Sequence, residues 1–73
     1  MNLLRQAKIA TAASKLLSSS SVRELRQLRI DGETNQLRLT GRVRSYYHKQ
    51  LAQETIRSVA IGMRMVNQVQ VET

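Results

Sequence analysis

Cysteine, proline, tryptophan and phenylalanine are all absent from this chain of 73 residues, which has one histidine, two tyrosines and three glycines. Without cysteine there is no disulfide staple and no thiolate metal site, and a single imidazole cannot hold a metal ion alone. A chain this short buries only a thin core, so its stability has to come from packing or from association. Apolar runs never exceed three residues. That leaves no room for a signal-peptide core or a membrane span, and the expected location is the cytoplasm or the periphery of a membrane. Acid is scarce as well: five Asp and Glu stand against twelve Lys and Arg, a formal net charge of +7. The excess favours an anionic partner, whether acidic lipid, nucleic acid or an acidic protein face, and does not choose among them.

The residues that are present divide into periodic segments. Ile9, Ala12, Ala13, Leu16 and Leu17 form one helical stripe, and Ser18 to Ser21 end it, since serines compete for backbone hydrogen bonds outside helices. A helix is expected at about 4–17. Its basic, acid-free start has the composition of a leader, but a structural first helix is the preferred reading. Residues 22–30 are ambiguous. Ser21 with Glu24 is a capping-box pattern and Val22, Leu25 and Leu28 have helical spacing, whereas Leu28 and Ile30 alternate about Arg29 as in a strand. Leu37, Leu39, Gly41 and Val43 alternate with Thr40 and three arginines, a half-buried strand that needs a partner. DGETN, at 31–35, reads as the hairpin connection, which makes 24–30 the partner strand. Ser45 is the expected N-cap of a second helix with Ala52, Ile56 and Val59 inward, ended by Gly62. Met65, Val66, Val69 and Val71 make a last strand, interrupted by Asn67. The order is α-β-β-α-β: an α+β fold with a three-stranded mixed sheet and two helices packed on one face.

Chemistry-bearing groups are sparse. His48 falls in the core register of the second helix, where packing is the ordinary role. The acids are scattered, so no pair of carboxylates is set for acid–base work, and the glycines are too far apart to cradle a phosphate. Neither a catalytic residue, a metal ligand nor a cofactor is expected. The open sheet face is expected to carry Arg29, Arg38 and Arg42 among glutamines, a surface able to meet phosphates or simply to stay soluble. Tyr46 and Tyr47 follow Arg42 and Arg44 and precede Lys49. One ring is expected to staple the helix onto the sheet and the other to stand exposed, suited to a membrane interface or a protein partner. The expected strands hold no aromatic, which disfavours stacking-type RNA binding.

Residues 37–71 resemble the BON domain, a small module of bacterial osmotically induced, nodulation and envelope-associated proteins. The likeness lies in the L-x-L-x-G-x-V strand (Leu37, Leu39, Gly41, Val43), the Ser-Tyr-Tyr junction, the K-Q-x-A helix (Lys49, Gln50, Ala52) and the terminal V-N-x-V-x-V (Val66, Asn67, Val69, Val71). It extends more weakly back through residues 25–30. The resemblance implies an α-β-β-α-β core over 21–73, with 1–20 as the first helix and serine turn of the same domain. It also implies binding in place of catalysis, to phospholipid or envelope partners. The anionic-surface residues expected on this reading are Arg29, Arg38, Arg42, Arg44, Tyr46, Tyr47 and Lys49. A self-associating or protein-docking module is the alternative, and nucleic-acid backbone binding, which the charge permits and no motif supports, is the weaker one.

Overall fold

The computed structural model describes residues 3–72; Met1, Asn2 and Thr73, the outermost positions of the expected segments 1–20 and 21–73, lie outside the described residues. Helix α1 runs Leu3–Ser18 and buries Gln6, Ala13 and Leu17. Its end is written in the serines. The Ser18 and Ser19 hydroxyls both donate to the Lys15 carbonyl, at 3.2 and 2.7 Å, beside the Ser19 N–H at 3.0 Å, so side-chain donors join the backbone in satisfying the last turn.

Residues 24–30 are not one strand. A single helical turn, α2 (Arg23–Arg26), comes first, and strand β1 (Arg29–Glu33) follows. The two local patterns that compete in this stretch are thus realised in succession. The helical turn seats Leu25 in the core, and the alternation begins only after Leu28. No capping box forms: Val22 precedes the turn, and its N–H is held by Ser20 Oγ at 3.0 Å. DGETN is likewise redistributed. Asp31 to Glu33 belong to β1, and the hairpin turn is Thr34–Asn35, with Asn35 at φ 60°, a left-handed conformation that Asn tolerates. Gly32 serves close packing: a Cβ built on it would lie 3.1 Å from Ala10 Cβ, because α1 lies directly on this strand.

Strand β2 (Gln36–Thr40) pairs antiparallel with β1, from Glu33↔Gln36 to Arg29↔Thr40, and parallel with β4 (Arg64–Asn67). Strand β3 (Arg42–Val43) pairs parallel with β5 (Gln70–Val71). The partners Gln36↔Arg64 and Val43↔Val71 are offset equally, so β2–β3 and β4–β5 form one ladder interrupted at Gly41. The fold is therefore α+β, with a mixed sheet three strands wide. Leu37, Leu39 and Val43 point from it into the core. Helix α1 covers β1, and α3 (Tyr46–Arg57) lies against α1 and over β3, β4 and β5.

Gly41 carries the interruption. Its φ is +128°, and a Cβ there would meet Leu28 Cδ2 at 2.7 Å. Only glycine meets both conditions. Helix α3 begins as expected, with Ser45 Oγ accepting from the His48 N–H at 3.1 Å. It ends before Gly62, at Arg57. Gly62, at φ +80°, instead occupies the third position of a turn closed by the Met63 N–H on the Ala60 carbonyl at 3.1 Å, where a type II turn needs a positive φ. Asn67 fastens α3 to the sheet. Its Nδ2 donates to the Lys49 carbonyl at 3.0 Å and to Gln53 Oε1 at 3.2 Å, while its Oδ1 accepts from the Val69 N–H at 3.1 Å.

Candidate functional site

The expected contact residues depend on how β3 leaves the sheet. Val43 is buried, so Arg42 and Arg44 on either side of it are turned out, and both are exposed. They form one wall of a cleft of about 480 Å³ whose other wall is Glu24 and Gln27 of the α2 region, with Glu72 after β5 completing it. Glu24 makes no ion pair with this wall. One of its oxygens accepts from the Arg44 backbone N–H and the other from Gln27 Nε2, each at 3.1 Å. The Arg44 guanidinium has no ion-pair partner among the described residues. Arg42 meets Glu72 only at 3.8 Å, with both side chains mostly exposed, and a pair of that kind is worth ~0–1 kcal/mol. Arg23 joins Arg44 along an adjoining cleft.

Tyr46 and Tyr47 are 65% and 67% exposed, so neither ring staples the helix onto the sheet. Helical geometry explains it. His48, Ala52 and Ile56 repeat every fourth residue and face inward; Tyr46 stands nearly opposite that line and Tyr47 about a quarter turn from it. His48 is held locally, its Nδ1 2.9 Å from Ser45 Oγ and its ring tilted 58° against Tyr47 at 5.6 Å. Lys49, half-buried, follows Tyr46 by one turn, on the same side of the helix.

Arg29 and Arg38 stand apart from this cluster. Residues paired across the sheet share a face, and β1 brings Asp31 opposite Arg38 and Glu33 opposite Gln36. The open face, expected to be basic and amide-rich, is in fact of mixed charge. Arg38 is half-buried and bound by Glu33 at 2.7 Å, and its Nε is buried without a partner. Arg29 is exposed at the sheet edge. The structure thus gathers Arg42, Arg44, Tyr46 and Tyr47 at one end, with Lys49 a turn further on, and separates Arg29 and Arg38 from them. Arg23, Glu24, Gln27 and Glu72 were missing from the expected set. The signal for three of them lay in the helical spacing at 22–28, which places them on a turn and not on a strand.

The tyrosine end is also opposite the other exposed aliphatics. Strand β2 leads from the Thr34–Asn35 turn toward Gly41 and Ser45, in a molecule measuring 38 × 20 × 16 Å. Leu3 and Leu4 precede the Gln6–Ala10 segment over Gly32, and Ile61 precedes the Arg64↔Gln36 pair, so all three belong to the hairpin-turn end. Among the described residues no group of three or more His, Cys, Asp or Glu is placed to hold a metal ion, and no helix is long and apolar enough to cross a membrane. No protein-family model matches the sequence, and no curated protein matches it.

Proposed function

We propose that this protein is a non-enzymatic, BON-like binding module that associates peripherally with an anionic phospholipid surface through its Arg42–Tyr47 end. The observation that carries the reading is the meeting there of two guanidinium groups, one unpaired and one weakly held, with two tyrosines about two-thirds exposed. These are the only aromatic rings apart from His48 in the chain. Tyrosine combines an apolar ring with a polar tip and settles at headgroup depth, while each basic residue near an anionic surface contributes ~1 kcal/mol. Arg42, Arg44 and Arg23 supply that charge. Arg38 does not, since Glu33 already holds it. Apart from the added turn α2, the order of elements follows the α-β-β-α-β that the likeness to the BON domain implies, and a fold alone does not assign a ligand.

Vesicle co-sedimentation across a salt series, with duplex DNA as soluble competitor, tests this reading. Retention on anionic but not neutral vesicles is expected, weakening as salt rises. Arg42→Ala with Arg44→Ala should weaken it roughly 30-fold, from ~1 kcal/mol per residue. Arg38→Gln should leave it unchanged. Retention indifferent to salt, or none on anionic vesicles, would contradict the proposal. A second reading, a module that pairs with protein, is favoured by a different feature, the unpaired edge of β1.

A further inference from the structure

The two edges of the sheet are not equivalent. On the β4–β5 side, the Val69 N–H is taken by Asn67 Oδ1, so that edge is partly closed by its own side chain. On the β1 side the backbone is open. The carbonyls of Asn35, Leu39 and Gly41 accept from the Arg64, Gln68 and Gln70 N–H groups, which turns the odd residues of β2 toward β4. Its even residues therefore face β1, where their partners are Glu33, Asp31 and Arg29. Alternation then directs the N–H and C=O groups of Ile30 and Gly32 outward. Among the described residues, no other hydrogen bond to them is formed. Such an edge is a template for another strand.

The side chains along it specify which strand. Arg29 and Asp31 are exposed, stand on one face, and have no ion-pair partner among the described residues. Ile30 is half-buried on the other face. When β1 is laid antiparallel against a second β1 about a two-fold axis through Ile30, each Arg29 meets Asp31 of the other copy, and Ile30 meets Ile30. Ile30, whose backbone groups point outward, becomes a mutually hydrogen-bonded pair. Half-buried Leu28 comes opposite Gly32, beside a groove of about 470 Å³ under the flank of α1 formed by Leu3, Ala7 and Ala10. The small residues of that flank let two α1 helices approach. Shifting the axis by one residue, to Asp31, would set two aspartates face to face and bring each Arg29 to Glu33, a carboxylate that Arg38 already holds at 2.7 Å. The register about Ile30 is the one that sets no like charges opposite each other and gives both Arg29 and Asp31 a partner.

We propose that β1 is a self-pairing edge, and that a second copy of this chain docks on it antiparallel about Ile30 to make a six-stranded sheet. The interface lies on the strand edge and does not depend on lipid. Sedimentation of the full chain tests it, and the charges allow a reciprocal exchange. The wild type is expected at twice the 8.3 kDa monomer mass. Arg29→Asp alone and Asp31→Arg alone each set like charges opposite one another twice, and each should weaken the dimer by about tenfold or more. Combining both substitutions in one chain, or mixing the two single variants in equal amounts, restores Asp–Arg pairs and should restore the dimer. Both residues are exposed, and circular dichroism verifies that each variant is folded. A monomeric wild type at high concentration would overturn the proposal. So would single variants that dimerise undiminished, or a failure of both the double variant and the mixture to recover.

Discussion

Gly41 shows how much of this fold depends on one missing side chain. The ladder from Leu37 to Val43 alternates as a single strand does, yet at Gly41 the backbone turns to φ +128° and Leu28 crosses over it. The alternation continues past it: Val43 is buried, and Arg42 and Arg44 on either side are exposed. Gly41→Ala combines backbone strain with a 2.7 Å contact, and we expect a loss of ~2 kcal/mol or more. Urea unfolding measures it; an unchanged midpoint would mean that the strand does not need the glycine. Gly32 meets a milder constraint, a 3.1 Å approach to Ala10. The sequence reads Gly32 as part of a hairpin connection and Gly41 as one more position on the inner face of a strand. What each does depends on a residue distant in the chain, Leu28 for one and Ala10 for the other, and no local pattern carries that.

At the scale of elements, the second helix and the strand at 37–43 were legible because cap, periodicity and strand alternation agree there. Residues 22–33 were not, because two patterns overlap and the deciding influence is tertiary. Leu25 fills the core from a helical turn, and Glu24 is drawn to the Arg44 N–H instead of closing a capping box. Reading 31–35 as a turn hid the two acids of β1, and with them the mixed charge of the open face and the self-complementary edge. The candidate site was half legible for the same reason: the arginines and tyrosines that follow Gly41 are contiguous in sequence, whereas their opposing wall comes from α2. Asn67 was visible only as a break in an apolar strand, and it proves to be the tie between α3 and the sheet. Asn67→Ala removes three hydrogen bonds, each worth ~1 kcal/mol net. A loss of roughly 2–3 kcal/mol is expected, with faster exchange of the Val69 amide. Unaltered exchange at Val69 would contradict this role.

The whole molecule is a short rod with distinct ends and one open side. Its tyrosines stand with Arg42 and Arg44 at one end, Leu3, Leu4 and Ile61 at the other, and the free edge of β1 runs between them. Pairing about Ile30 would reverse one copy relative to the other, so that a tyrosine end stands at each end of the dimer. Edge pairing and surface contact then use separate parts of the chain and can be tested separately. The charge of +7 raises encounter with any anionic surface; what distinguishes lipid association from simple attraction is where the tyrosines go. The chain has no tryptophan and only Tyr46 and Tyr47, so its intrinsic tyrosine emission reports on that one site. The most direct measurement is quenching of this emission on anionic vesicles carrying bromine or nitroxide quenchers at graded depths. The account predicts strongest quenching by labels near the headgroups, lost when either salt is raised or anionic lipid is left out. Protein bound to the vesicles with unquenched tyrosines would contradict it.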